Sequence, residues 1–381
     1  MGLNDWGRER KTLFACPVCG EKVEGIGSTV AVCPRCIREN WQGSRRFVEN
    51  VHMESRRLFR LPPFPPAVPG GVACDLCLQQ CRMGETDRGY CDVRSGSAES
   101  MREDGRTRAR LSSYYDPLPT NCVADWVCAG GTGSGYPEFA HVKGTEVGYY
   151  NLAVFFEACN FNCLYCQNWS FKEPGRKSAA WTTVDGLARA VNTQTSCICF
   201  FGGDPTPQLP FALRVSEKLR RGWSGKILRI CWETNGSMHP EQLKRMASVS
   251  LESGGTIKID LKAWNPHIHQ ALCGCDNQRV LENFSMLARW VPERPDPPLL
   301  VASTLLVPGY VEAEEVKNIA EFIARLNPDI PYALLGFAPQ FCLDDFPTTS
   351  RVQAESCLDA ARQAGLRRIR LGNHHLIGAR S

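Results

Sequence analysis

The stretch Cys159-Asn-Phe-Asn-Cys163-Leu-Tyr-Cys166 decides how this chain is interpreted. Three cysteines separated by three and then two residues can bind three irons of a cubane cluster, which four thiolates normally hold. The remaining iron is then open to another ligand. A zinc knuckle or a partial ferredoxin motif is the structural alternative, but zinc needs a fourth ligand and no suitable residue follows closely. The stretch therefore predicts a metal centre that carries out chemistry.

The composition is typical of a soluble globular protein of two or three domains, with 381 residues, 43% hydrophobic and 22% charged. No apolar run approaches the roughly 18 residues of a membrane helix. The polar segment 1–11 does not resemble a secretory signal. Twenty cysteines without such a signal favour metal sites in a reducing cytoplasm over disulfides. The net charge of +4 indicates little, and no nucleic-acid partner is expected.

Two matched cysteine pairs stand near the N-terminus, in Cys16-Pro-Val-Cys19 and Cys33-Pro-Arg-Cys36. Each pair can supply two thiolates to one tetrahedral ion, so residues 1–43 are predicted to form a zinc ribbon. A rubredoxin-type iron is the chemical alternative, because thiolate-only tetrahedral sites suit both metals. The short separation favours zinc, with a role in stability or partner docking.

A second group of cysteines follows a linker over residues 44–71, which is charged and helical at first and proline-rich later. The segment 72–148 contains Cys74, Cys77, Cys81 and Cys91, which could bind zinc or a second iron–sulfur cluster. Their spacing does not decide between the two. Metal ligation and simple packing stay open for a further set of cysteines: Cys122, Cys128, Cys273 and Cys275. A redox pair is a third alternative for Cys273 and Cys275.

Residues 149–381 alternate short apolar segments with amphipathic ones, which predicts an α/β fold with a parallel sheet. Six or seven units fit a partial (β/α)6-type TIM barrel. The predicted strands are 150–156, 197–201, 226–232, 256–261, 299–306, 332–337 and 367–371. Active residues of such barrels lie at the carboxyl ends of strands.

Distinctive motifs follow five consecutive predicted strands. The cysteine stretch follows the first strand and Gly202-Gly203-Asp204-Pro205 the second. Paired glycines allow close approach of a ligand to the backbone. The later strands are followed in turn by Glu233-Thr234-Asn235-Gly236, by Asp260-Leu261-Lys262 and by Val307-Pro308-Gly309. Each motif alone is weak, but their common position at strand ends predicts one site.

Together these motifs resemble the radical S-adenosylmethionine (radical SAM) enzymes, and within them the activating enzymes of glycyl-radical enzymes such as the pyruvate formate-lyase activating enzymes. The resemblance rests on CNFNCLYCQN, GGDPTPQ, ETNG and IKIDLKAWNPHIHQALCG followed by LLVPGY. CDLCLQQC, GYCDVR and GLRRIRLGN are more similar to the AmmeMemoRadiSam branch. The resemblance covers roughly residues 72 to 375 and leaves the ribbon as an addition.

The resemblance implies a role for each motif residue. Cys159, Cys163 and Cys166 would bind a [4Fe-4S] cluster whose open iron chelates SAM. The expected SAM contacts are Tyr165 at the adenine, Gly202, Gly203, Asp204 and Pro205 at the amino group, Glu233 and Asn235 near the ribose, and Asp260 and Lys262 on the inner wall. Asp204 stands where glutamate is usual. Activating enzymes place a monovalent cation on this inner wall. Glu233 and Lys258 also depart from the usual pattern, which puts that cation site in doubt.

The resemblance further implies reductive cleavage of SAM to a 5′-deoxyadenosyl radical, which abstracts hydrogen from a protein or peptide substrate. Electrons would come from a flavodoxin- or ferredoxin-like donor, in an anaerobic cytoplasm. One alternative is radical SAM modification of a small molecule, cofactor precursor or lipid. Another is a non-enzymatic metal-binding or nucleic-acid-binding scaffold, which would not cleave SAM.

Overall fold

The computed structural model describes residues 14–23, 27–97, 107–120, 122–173, 180–223 and 225–378. Parts of the predicted ribbon, residues 1–13 and 24–26, lie outside the described residues. So do residues 98–106 and 121 of the predicted cysteine-rich segment and residues 174–179, 224 and 379–381 of the predicted barrel. In the part of the chain that the structure describes, no helix is long and apolar enough to cross a membrane.

Small elements form the N-terminal third of the chain. Two hairpins, each a pair of two-residue antiparallel strands, hold cysteines at their ends. The elements in chain order are β1 (Phe14–Ala15), β2 (Lys22–Val23), α1 (Pro34–Glu39), α2 (Trp41–Arg57), β3 (Val72–Ala73), β4 (Arg82–Met83), β5 (Arg108–Pro117) and α3 (Ala129–Thr132). Helix α2 begins at Trp41 and includes the first part of the predicted linker, which was expected to be helical.

A nine-stranded sheet forms the core, in the order β13-β12-β11-β10-β9-β8-β6-β5-β7. Seven of its strands run parallel to one another, which confirms the predicted fold class. They are β6 (Tyr150–Phe156), β8 (Thr195–Gly202), β9 (Arg229–Thr234), β10 (Ile257–Asp260), β11 (Leu300–Leu306), β12 (Tyr332–Gly336) and β13 (Ile369–Gly372). Most of their residues are buried, as expected for strands covered on both faces.

Two antiparallel strands extend this sheet beyond its parallel part. Strand β5 pairs with the whole of β6, from Leu111 opposite Phe156 to Pro117 opposite Tyr150. Strand β7 (Ala180–Thr183) pairs in turn with β5. The sheet therefore includes residues 108–117, which belong to the segment predicted to precede the barrel.

Helices connect the parallel strands and bury one apolar face each. They are α4 (Val184–Arg189), α5 (Leu209–Gly222), α6 (Pro240–Ser253), α7 (Pro266–Cys273), α8 (Gln278–Ala288), α9 (Ala313–Leu326) and α10 (Arg351–Gln363). Side-chain caps fix several starts: the Asn265 Oδ1 atom accepts hydrogen bonds from the N–H groups of His267 and Ile268, at 2.9 and 3.1 Å.

Candidate active site

The cysteine stretch leaves the carboxyl end of β6 and packs against the loop that follows β8. In the parallel register Phe156 lies opposite Gly202. The N–H of Gly203 donates to the Phe156 carbonyl, and the N–H of Asp204 donates to the Ala158 carbonyl, both at 2.8 Å. The structure thus brings the first two predicted motifs together at one edge of the sheet.

The two glycines are required by this close packing. Gly202 has a φ of +105°, a conformation that side chains disfavour. A Cβ atom on Gly203 would lie 2.2 Å from the Ala158 carbonyl oxygen. The backbone of the cysteine loop therefore occupies the space that a side chain at this position would need.

The Asp204 carboxylate links the loops after β8 and β9. It accepts hydrogen bonds from the N–H of Thr206 at 2.8 Å and the N–H of Asn235 at 2.7 Å, and the Thr234 hydroxyl donates at 3.1 Å. Burial raises its pKa, an effect that these hydrogen bonds partly offset. Because the side chain is fully engaged, only the backbone of this residue is available for a ligand.

A chain of amides connects the loop after β9 to the cysteine stretch. The Asn235 side-chain amide donates to the Asn160 Oδ1 atom at 2.9 Å, and its nitrogen lies 4.0 Å from the Cys159 sulfur. The Asn160 amide in turn donates to the Ser237 hydroxyl at 2.7 Å. Both asparagines are buried, so this chain fixes the position of Cys159.

The environment of Cys163 favours a thiolate. Its pKa is lowered to about 7, because the Cys273 thiol hydrogen-bonds to it and the charges of Lys262 and Lys172 outweigh its burial. A thiolate is the form that binds a metal. The Tyr165 hydroxyl lies 3.6 Å from the Cys273 sulfur, so Cys273, which the sequence left unassigned, belongs to this site.

Two buried cations that the sequence did not indicate also face the cysteine loop. Lys172 is 4% exposed and Arg56 is 1% exposed. Lys172 donates to the Asn162 Oδ1 atom at 2.8 Å and interacts electrostatically with Cys159, Cys163 and Cys166. Within the described ranges neither cation has a carboxylate within 4.0 Å, although unpaired buried charge is costly.

This arrangement fits an anionic cluster bound by three thiolates, since such a group supplies the negative charge that both cations lack. Lys172 lies only six residues after Cys166, and this closeness in sequence was the only signal that pointed to it. Arg56 is distant in sequence and no motif marks it.

Alternating charges occupy the barrel interior beyond the cysteine loop. The Lys258 ammonium lies 3.2 Å from a Glu233 carboxylate oxygen and 2.7 Å from Asp260. Lys262 lies 2.9 Å from Asp260. Although burial opposes it, these two ammonium groups hold the pKa of Asp260 well below its usual range. Cys122 donates to Glu233 at 3.1 Å.

The departure noted in the sequence at Lys258 thus has a structural meaning. Its ammonium group lies between two carboxylates, the position that a monovalent cation would need in order to contact both. Glu233 is engaged by this ammonium and by a thiol, so its expected contact with a ribose stays a prediction.

The four ribbon cysteines converge as a single ion requires. Among the described residues, Cys16, Cys19, Cys33 and Cys36 are the one group of three or more potential ligands whose donor atoms all lie within 4.8 Å of one another. This cluster could bind a metal. The second cysteine group, Cys74, Cys77, Cys81 and Cys91, does not meet that distance within the described ranges.

Comparison with known proteins agrees with the geometry of this site. Residues 153–323 match the model of the Radical SAM superfamily. The chain carries a radical SAM domain. The predicted resemblance and the enzyme class are thereby confirmed, and the domain implies a [4Fe-4S] cluster and SAM as cofactors. The matched range begins in β6 and includes the cysteine stretch and the loops after β8, β9, β10 and β11.

Relatives of the radical SAM domain include activating enzymes. Pyruvate formate-lyase 1-activating enzyme of Escherichia coli K12 is 31% identical over 139 residues, which are 35% of this chain and 54% of that enzyme. Isethionate sulfite-lyase activating enzyme of Desulfovibrio desulfuricans is 34% identical over 137 residues, 36% of this chain and 40% of that enzyme. The chain therefore spans about half or less of these two enzymes.

A longer match covers most of the chain. An uncharacterized protein of Methanocaldococcus jannaschii is 23% identical over 310 residues, which are 79% of this chain and 81% of that protein. The name of this relative gives no substrate, whereas the two activating enzymes match over a shorter range.

Proposed function

We propose that this protein is a radical SAM enzyme that generates a 5′-deoxyadenosyl radical and directs it to a protein or peptide substrate. The observation that carries the proposal is the thiol-rich loop at the end of β6, which faces two buried cations and packs against the glycine pair after β8. The two relatives named as activating enzymes, one for pyruvate formate-lyase and one for isethionate sulfite-lyase, support the choice of a protein substrate.

The residues of the site take the roles expected from the sequence. Cys159, Cys163 and Cys166 hold the cluster, which when reduced supplies the electron that breaks the C5′–S bond of SAM. The proposed SAM contacts are the backbone of Gly202, Gly203, Asp204 and Pro205 together with Tyr165, Glu233, Asn235, Asp260 and Lys262. Lys172 and Arg56 balance the cluster's negative charge.

The other metal sites and partners belong to the same proposal. The ribbon cysteines bind one zinc ion, with a role in stability or docking. The second cysteine group binds a further metal centre. A flavodoxin- or ferredoxin-like protein supplies electrons. Lys258 takes the place of a monovalent cation between Glu233 and Asp260.

Formation of 5′-deoxyadenosine tests the chemistry. Protein reconstituted anaerobically with iron and sulfide should convert SAM to 5′-deoxyadenosine and methionine when dithionite is added. Cys166→Ala should reduce this product to background, because a thiolate ligand is lost. Cys357→Ala is the matched control, since Cys357 is buried in α10, away from the loop. Activity that persists in Cys166→Ala would refute the cluster assignment.

A second measurement separates the substrate classes. Extracts of the source cells, divided by size, are tested for stimulation of 5′-deoxyadenosine formation. A protein or peptide substrate predicts stimulation that protease treatment of the fraction destroys. Stimulation that survives protease and passes a small-molecule filter would favour the alternative of a small molecule, cofactor precursor or lipid.

A further inference from the structure

The hairpin of β3 and β4 brings the second cysteine group together. Cys74 follows β3 and Cys81 precedes β4, and the Cys74 N–H donates to the Cys81 carbonyl at 2.8 Å. The N–H of Tyr90 donates to the Cys81 sulfur at 3.4 Å, which places the adjacent Cys91 on the same side. The thiols of Cys74, Cys81 and Cys91 also interact electrostatically with one another.

The remaining cysteine of this group, Cys77, connects the hairpin to the radical SAM site through a backbone contact. It forms an isolated antiparallel bridge with Met238, just after the loop that follows β9. Two residues later, the Gln79 amide donates to the backbone carbonyl of Asn160, at 2.7 Å. Asn160 directly follows Cys159, so the second cysteine group lies against the radical SAM loop, residues 159–166.

The second cysteine group and the radical SAM loop line one cavity. Its volume is about 290 Å³, and its walls include Cys91 from the second group and Cys159 from the radical SAM loop. Arg56, Tyr90 and Lys172 also line it. Because Cys91 and Cys159 line the same cavity, a centre at the second group would lie near a centre at the radical SAM loop.

Arg56 is the independent observation that points to negative charge at both groups. Its guanidinium stacks on the Tyr90 ring, 3.5 Å from the ring centroid. It donates to the carbonyls of Pro62 and Tyr90. It also interacts electrostatically with both Cys91 and Cys159. Carbonyl groups satisfy its hydrogen bonds, and the Asp92 carboxylate interacts with it electrostatically without lying within 4.0 Å. A buried charge is costly without close compensation, so thiolates at both groups would stabilise this guanidinium.

Distances between thiols separate a single ion from a cluster. Thiolates around one zinc ion lie about 3.8 Å apart, given Zn–S bonds of about 2.3 Å in a tetrahedron. The ribbon cysteines meet this requirement, with all donor atoms within 4.8 Å. Within the described ranges, neither Cys74, Cys77, Cys81 and Cys91 nor the three cysteines of the radical SAM loop do so. Within the described ranges, the second group therefore lacks the close convergence of a single-ion site, as the radical SAM loop does.

We propose that Cys74, Cys77, Cys81 and Cys91 bind a second iron–sulfur cluster beside the radical SAM cluster, with Arg56 as a shared counter-charge. Four cysteine ligands leave no open iron, so this centre binds no SAM and suits electron transfer. The inference deepens the proposed function, and it rests on that proposal only in taking Cys159, Cys163 and Cys166 as the site of the first cluster.

The test removes the first cluster and counts the metal that stays. The triple variant Cys159→Ala/Cys163→Ala/Cys166→Ala is reconstituted anaerobically with iron and sulfide. It should retain two to about four irons, with matching sulfide and an EPR signal on reduction. Adding Cys91→Ala to this variant should remove that iron. Adding Cys357→Ala instead should leave it unchanged, because Cys357 is buried in a distant helix.

Far-UV circular dichroism and the thermal unfolding transition report whether the triple variant is folded, and the ribbon should hold about one zinc equivalent. About two zinc equivalents and no iron would overturn the proposal in favour of a second zinc site. One zinc and no iron would overturn it as well. If the triple variant is unfolded, Cys91→Ala alone decides: the loss of one cluster's iron supports the proposal, and an unchanged iron content refutes it.

The result is independent of the proposed activity. A wild-type protein that fails to cleave SAM would refute the proposed function, yet the iron content of the triple variant would still report on the second cluster. Conversely, SAM cleavage with no iron in the triple variant would refute the second cluster alone.

Discussion

The ribbon and the radical SAM loop are both built from cysteines, but they are supported in different ways. In the ribbon, the N–H of Cys33 donates to the Cys16 sulfur at 3.5 Å, and the N–H of Cys36 donates to the Cys33 sulfur at 3.4 Å. The four thiols converge through their own two turns. A single-ion site can therefore be specified almost entirely by local sequence.

The radical SAM loop depends on distant segments instead. Lys172 and Arg56 supply buried positive charge, and Asn235 and Asp204 connect the neighbouring loops to it. A cluster with an open iron needs its charge balanced and its ligand site shaped by surrounding elements. The difference indicates that the ribbon is a self-contained metal site, whereas the loop forms one site only together with the barrel.

The largest expected effect comes from breaking the ribbon alone. Cys33→Ala should lose the ribbon's single zinc equivalent, because structural zinc contributes roughly 10 kcal/mol or more to such modules. Formation of 5′-deoxyadenosine should stay within about twofold of wild type. Metal analysis and the anaerobic assay measure both quantities, with Cys357→Ala as the control. Simultaneous loss of cluster iron would show that the two sites are not independent.

Charge beside the cluster gives the next largest effect. Lys172→Met should make the midpoint potential of the radical SAM cluster more negative by on the order of 100 mV. A unit charge about 6 Å away contributes about 3 kcal/mol at an effective dielectric constant of about 20. An EPR-monitored redox titration, following the signal that SAM perturbs, measures the shift. Lys172→Arg keeps the charge and should restore most of the potential; equal shifts in both variants would contradict the electrostatic role.

Removing the Asp204 carboxylate, which links the loops after β8 and β9, should have a smaller effect. Asp204→Ala should lower the free energy of unfolding by about 2 kcal/mol, because the buried N–H groups of Thr206 and Asn235 lose their acceptor. It should also raise the KM for SAM. Chemical denaturation and steady-state kinetics measure the two effects. Asp185→Ala, which removes an exposed carboxylate, is the control. An unchanged KM would mean that the loop after β8 is not part of the SAM site.

The smallest effect on stability is expected where the ribbon contacts the barrel. Asp345 accepts hydrogen bonds from the Ser28 N–H at 2.6 Å and the Thr29 hydroxyl at 3.1 Å. Asp345→Ala should weaken the docking of the ribbon by about 1 kcal/mol, because these hydrogen bonds are partly exposed. Hydrogen exchange in the ribbon should become faster while zinc content and SAM cleavage stay unchanged. Asp344→Ala serves as the neighbouring control.

The sequence predicted much of the barrel because its signals are local. Strand β6 was predicted with its observed bounds, and the other parallel strands were found within a few residues. Long-range pairing was not visible: β5 and β7 were missed, because their polar outer faces resemble loops and their partners are far along the chain. The alternation of charge and apolar residues does not reveal which sheet edge a strand joins.

By itself, the sequence determined the family resemblance and which residues are candidates for the site, since thiols at short, fixed spacings and glycine-rich strand ends are properties of neighbouring residues. Only the tertiary structure decided what surrounds those thiols. It brought Arg56, Lys172 and Cys273 to the radical SAM loop, and it placed the second cysteine group beside that loop. The physical reason is that charge compensation acts through space, between groups that the chain itself keeps far apart.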